Sequence, residues 1–143
     1  MVAFPKPRAF SLCHQMLSLK KAFPDSECRV RRNRLRWRAR LSPSPLSETY
    51  TLRLEYSLER PPIVRVESPA LCEPLGAELP HVYSDGSLCL YYPRGGEFAR
   101  DRLLVHTIVP WASEWLYHYE LWHVTGEWLG GGIHPGDSQP ICN

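Results

Sequence analysis

Eight consecutive residues, RLRWRARL at 34 to 41, alternate strictly between arginine and an apolar side chain. That period of two matches the pleat of a strand: Arg34, Arg36, Arg38 and Arg40 share one face, and Leu35, Trp37, Ala39 and Leu41 share the other. One face is basic and wet; the other covers a core. A lone strand would leave its backbone groups unpaired, so partners must follow. YTLRLEY at 50 to 56 alternates again, and SPSPLSE between the two has the composition of a turn or loop, so a hairpin is expected. After Arg60-Pro61-Pro62, IVRVES supplies a strand at 63 to 68 that Pro69 ends. The pattern predicts an antiparallel meander of three strands.

Helical periodicity flanks this meander. Residues 8 to 22 place Phe10, Cys13, Met16 and Leu17 at helical spacing, with Lys20 and Lys21 at the end where the helix dipole favours cations and Pro24 just beyond. An amphipathic helix is expected, with Cys13 in the core. Residues 107 to 124 form a second helix, with Pro110 tolerated in its first turn and Trp111, Trp115, Tyr119 and Trp122 near one face. Gly126 follows as a C-cap. Between the meander and this helix, residues 69 to 93 show little periodicity, and such irregular segments often carry function. The tail is rich in Gly and Pro, with Trp128 expected to tuck it against the body.

At 143 residues, with 43% hydrophobic and 22% charged side chains, the chain is globular in composition, can bury a core without covalent staples, and is expected to be one domain, 1–143. No apolar run reaches the roughly 18 residues of a membrane span, and the amino terminus has no signal-peptide core, so a cytoplasmic location is expected. The cysteines at 13, 28, 72, 89 and 142 are odd in number and contain no CxxC pair, which argues for reduced thiols and against a disulfide framework or a zinc site. His118 and His123 are five apart on a helix, the wrong spacing for a metal pair. Neither a metal nor an organic cofactor is expected. Residues 1 to 40 hold eleven Lys or Arg against Asp25 and Glu27, and a basic end of this kind calls for an anionic partner.

Cys89 is the candidate catalytic residue. It closes the string PHVYSDGSLC, two residues beyond an Asp-Gly turn braced by Asp85. The bland alternative is a small buried hydrophobe, the usual fate of an unpaired cysteine. The order of helix, meander, irregular segment with a cysteine and second helix resembles the ubiquitin-conjugating fold, an α+β architecture. In that family a His-Pro-Asn tripeptide precedes a turn and the catalytic cysteine. Here Leu79-Pro80-His81 precedes Val82-Tyr83-Ser84-Asp85-Gly86-Ser87-Leu88-Cys89-Leu90 with the same spacing from proline to cysteine. Pro61-Pro62-Ile63-Val64 resembles the family's entry to its third strand. The likeness covers about residues 8 to 125, and the tail WHVTGEWLGGGIHP at 122 to 135 further resembles bacterial members of antiphage defence operons that stand beside cGAS-like nucleotidyltransferases.

The resemblance implies a single ubiquitin-conjugating-like domain in which Cys89 takes an acyl group as a thioester and passes it to an amine. Thiolate suits this because it is both nucleophile and leaving group. The donor would be the carboxyl terminus of a ubiquitin-like protein or of a cGAS-like nucleotidyltransferase, with an activating enzyme as a further partner. Two positions depart from the family: His81 stands where Asn is expected, and Tyr91 where an acidic residue often follows the cysteine. His81 is the second candidate catalytic residue, as a donor to the oxyanion or an acceptor of the amine's proton; the alternative is a histidine that braces the loop. His134 is expected to be a turn residue, and the glycines at 130 to 132 a flexible turn.

Docking of a protein partner on the basic N-terminal helix and first strand is the expected use of the charge. Two rival readings stay open: a non-catalytic adaptor on the same fold, and a nucleic-acid-binding module in which the arginines and the interleaved Trp37 hold phosphates and bases.

Overall fold

The computed structural model describes residues 3, 8–74, 76–92 and 96–130. Helix α1 (Leu12–Ala22) is followed by strands β1 (Glu27–Arg31), β2 (Arg34–Leu41), β3 (Tyr50–Ser57) and β4 (Ile63–Ser68), then by helix α2 (Ile108–Thr125). The strands form one antiparallel sheet in the order β1-β2-β3-β4. This is the α+β architecture expected, with one strand more than the predicted meander.

The added strand, β1, is exposed at four of its five positions and half-buried only at Cys28, so it lacks the clean alternation that marks β2. Its connection to β2 is the two-residue turn Arg32-Asn33, both with positive φ (50° and 60°). Left-handed backbone at both central positions matches the twist of a hairpin, but without a glycine the turn leaves little trace in the sequence. β2 behaves as its period requires: Leu35, Trp37 and Ala39 are buried and the arginines between them exposed.

The inner face of the sheet supplies Leu35, Trp37, Tyr50, Leu52, Leu54, Tyr56 and Val64 to one core with Ile108, Trp115, Leu116, Tyr119 and Trp122 of α2. Tyr50 meets Tyr119 edge to face at 6.4 Å, a favoured geometry for aromatic pairs. Trp37 is only 1% exposed and packs on Phe23 at 5.3 Å. It belongs to the core, as the period of β2 requires, and the rival reading in which Trp37 holds bases between the arginines loses its ring.

Helix α1 begins at Ser11, whose side chain accepts from the His14 amide at 3.1 Å, an N-cap of the usual kind. Its buried residues are Leu12, Gln15 and Leu19, whereas Cys13 is exposed and Leu17 is 60% exposed. The expected apolar face is therefore rotated. Gln15 supplies the reason: its amide donates to the Arg102 carbonyl at 2.9 Å and its Oε1 accepts from the Leu104 amide at 2.9 Å. One polar side chain thus satisfies two backbone groups of the segment before α2, a 3₁₀ turn at Leu104–His106, and that match outweighs the apolar stripe.

α2 carries Pro110 in its first turn and ends at Gly126, with φ at 79° and its amide bonded to the Trp122 carbonyl at 2.8 Å. Both features follow the sequence expectation.

Candidate functional site

The segment carrying Cys89 is a small folded loop attached to the sheet edge. The Leu88 amide donates to the Val64 carbonyl of β4 at 2.9 Å, and Val82 and Leu88 form an antiparallel bridge. Between them the chain reverses: the Tyr83 amide bonds the Ser87 carbonyl and the Gly86 amide the Tyr83 carbonyl, each at 2.9 Å. Gly86 sits at φ 83°, where a side chain would strain the turn.

Asp85 braces this turn as expected. Its Oδ1 accepts from the Ser87 amide at 2.9 Å and the Ser87 hydroxyl at 2.5 Å, and its Oδ2 pairs with Arg65 of β4 at 2.9 Å. The Ser87 hydrogen bonds, with Arg65 adding, hold the Asp85 carboxyl below the usual range. A turn that depends on a carboxylate is thereby fixed in its ionised form.

His81 and Cys89 meet through the backbone. The Cys89 amide donates to the His81 carbonyl at 2.9 Å, and the same oxygen accepts from the Trp115 indole of α2 at 3.0 Å. His81 itself is in the left-handed region at φ 55°, a conformation that His, Asn and Asp tolerate better than most residues. That shared tolerance gives a physical reason why His can stand at a position where Asn is expected. The residue is 6% exposed, and its ring lies on Trp128 at 5.1 Å. Trp128 also contacts Trp115 at 5.2 Å and His118 at 6.2 Å, so the segment after α2 does tuck against the body. A Cβ on Gly130 would fall 2.7 Å from the Trp128 indole nitrogen and 2.9 Å from His118, so glycine is needed there for close approach and not only for flexibility.

Among the described cysteines, Cys13, Cys28 and Cys72 are free. Burial pushes the Cys28 thiol up to about 11, which makes it a poor nucleophile at neutral pH. Cys142, His134 and two of the three glycines, Gly131 and Gly132, lie outside the described residues.

A cleft of about 340 Å³ adjoins the Cys89 segment, lined among others by Pro62, Tyr83, Asp85, Ser87, Leu90 and Tyr91. Burial raises the phenols of Tyr83 and Tyr91 above their ordinary value, so both remain neutral hydrogen-bonding groups. Tyr91 packs on Trp111 at 5.8 Å and Phe98 at 6.0 Å. Aromatic packing occupies the position where an acid would stand. Among the described residues no group of three or more His, Cys, Asp or Glu could hold a metal ion, and His123 is bonded to the Cys72 carbonyl at 2.9 Å.

Trp115 was not legible as a site residue. Its indole reaches His81 across 34 positions of sequence, and the only sign in the chain is a Trp on the buried face of a helix, which reads as core.

A helix, a four-stranded antiparallel sheet, a cysteine on a braced loop at the sheet edge and a closing helix define an E2-like protein. The chain belongs to the type II CBASS E2 protein family, whose family model matches residues 15–135. Membership makes it an E2-like protein of CBASS antiphage defence. No curated protein matches the chain, and among the described residues no helix is long and apolar enough to cross a membrane.

Proposed function

We propose that the protein is a cytoplasmic conjugating transferase that carries an acyl group on Cys89 and passes it to an amine. The observation that supports this most is the double clamp on His81, whose carbonyl holds both the Cys89 amide and the Trp115 indole. A nucleophile on a loop reacts efficiently only if its backbone is held in place before the donor arrives. In the reduced protein the Cys89 thiolate attacks the thioester carbonyl of the donor. The new C–S bond forms as the bond to the donor's sulfur breaks, and that sulfur leaves as thiolate. An amine then attacks the Cys89 thioester, the C–N bond forms, Cys89 departs as thiolate and the amine's proton passes to a base. The scheme uses no metal or organic cofactor.

The donor in this reading is the carboxyl terminus of a ubiquitin-like protein or of a cGAS-like nucleotidyltransferase, and an activating enzyme loads it. Protein partners dock on α1, where Leu17 is exposed near Lys21. The acceptor amine enters the cleft beside the Cys89 segment, where the Asp85 carboxylate and two neutral phenols suit an ammonium group. His81 serves the transfer step more than the loading step, through its ring or through the loop it braces.

The test begins with protein that has been reduced and freed of reductant. Incubation with an activating enzyme and a candidate donor should give a thiol-sensitive adduct on a non-reducing gel, absent in Cys89→Ser. Retained partner binding with no adduct would favour the adaptor reading. A folded His81→Ala variant should load nearly normally and transfer poorly, and equal loss of both steps would overturn that division.

A further inference from the structure

The β1–β2 hairpin gathers more unneutralised charge than any role in the sheet requires. Register places Arg29 opposite Arg36 and Arg31 opposite Arg34, and in an antiparallel pair such partners share a face. Cross-strand neighbours lie about 5 Å apart and alternate residues about 7 Å apart along a strand, so four guanidinium groups stem from one small grid. Arg32 adds a fifth at the turn. The five line a concave space of about 580 Å³.

Their described surroundings hold no carboxylate against them. Arg38 is bound to Glu67 at 2.6 Å, Arg53 to Glu55 at 3.2 Å and Arg65 to Asp85 at 2.9 Å, yet none of the five forms an ion pair with a described residue. Glu55 lies across from Arg36, but Arg53 holds its carboxylate. Like charges set directly opposite one another destabilise a sheet, so the grid is a cost to the free protein.

Protection of a sheet edge is the plain explanation for charges on β1. It does not account for Arg34 and Arg36, which stand on β2, a strand paired on both sides. A docked acidic protein fits poorly too. Protein interfaces centre on apolar and aromatic anchors, with arginine packed among them, and this face offers arginines with no apolar or aromatic side chain beside them, since Trp37 points into the core. Guanidinium forks in a dense array match neighbouring phosphates, each of which accepts two parallel hydrogen bonds. With no exposed ring in the array to stack a base, recognition rests on phosphate alone.

We propose that the β1–β2 hairpin is a phosphate-binding site, in which Arg29, Arg31, Arg34 and Arg36, with Arg32 at the turn, take a ligand carrying several adjacent phosphates. A nucleoside polyphosphate and a nucleic-acid backbone share that chemistry. The basic end of the chain then divides into two surfaces, α1 for a protein partner and the hairpin for phosphate.

The experiment measures binding of labelled duplex DNA by fluorescence anisotropy across a salt series, with tripolyphosphate, ATP and polyglutamate as competitors. The wild-type chain should bind, with affinity falling steeply as salt rises, at a log–log slope of about −4 for four to five phosphates neutralised. Arg31→Gln with Arg34→Gln should weaken binding at least tenfold and reduce the slope by about 2. Arg38→Gln, which removes an arginine already paired with Glu67, should stay within about twofold. Efficient competition by tripolyphosphate and ATP assigns the site to small polyphosphates; failure of both to compete, with DNA bound, assigns it to a nucleic-acid backbone. Absence of phosphate binding by the folded wild-type chain overturns the proposal. So does unchanged affinity in the folded Arg31/Arg34 variant, or displacement by polyglutamate as effective as that by tripolyphosphate.

Discussion

The amide of Cys89 and the carbonyl of His81 are joined by a 2.9 Å hydrogen bond, and the indole of Trp115 completes the same acceptor at 3.0 Å. Two residues eight positions apart are thus locked to α2, whose Trp115 lies 34 positions beyond His81. Trp115→Phe keeps the ring packing and deletes the donor. We expect a loss of about 1 to 2 kcal/mol in urea unfolding, with a larger fall in the transfer step than in loading. Unchanged stability would show that the indole contributes packing alone.

Gln15 joins α1 to the backbone before α2 from a fully buried position. Gln15→Met preserves volume but strands the Arg102 carbonyl and the Leu104 amide. Unfolding measurements should show a loss of about 2 to 4 kcal/mol, since each buried group loses its partner. Leu17→Gln, on the exposed side of the same helix, should change stability by no more than about 0.5 kcal/mol.

Asp85 has a lowered pKa, chiefly through the Ser87 hydroxyl and amide. A carboxylate stabilised in the folded state contributes above its unfolded pKa of about 3.9 and ceases to contribute as pH falls through the folded value. The thermal transition should therefore drop below about pH 4, and Asp85→Asn should flatten that part of the profile. An identical acid limb in the variant would remove Asp85 from the account.

At the alkaline end the sign reverses. Cys28 is raised to about 11 by burial, Tyr119 to about 12 and Tyr50 further. The unfolded thiol ionises near pH 9 while the folded one stays neutral, so stability falls from about pH 9 towards 11, and the tyrosines extend the loss above about 10. Cys28→Ser should remove the earliest part of the decline. Iodoacetamide at pH 8 should modify the exposed Cys13 and Cys72 well before Cys28, as peptide mass mapping would read.

The sheet was legible where alternation was clean. β2, β3 and β4 fall where period two placed them, as does the C-cap of α2. β1 was not, because both faces of it are largely exposed and its turn to β2 is built from Arg32 and Asn33. Asp85 could be read as a brace because an Asp-Gly turn is a local event. Trp37 falls on the inner face that its alternation assigned, whereas Cys13 was misjudged: spacing tells which residues share a face, and only the neighbouring elements tell which way that face points.

Local chemistry, then, determined both helices and strands β2, β3 and β4, the braced turn before Cys89 and the surplus of arginine at the basic end. Their periods and turn residues act over a few positions of chain. Tertiary structure decided the rotation of α1 through Gln15, the clamp on His81 through Trp115, and the gathering of five arginines on one hairpin. Those outcomes depend on hydrogen-bond partners and packing surfaces brought from distant sequence, and no local pattern carries that information.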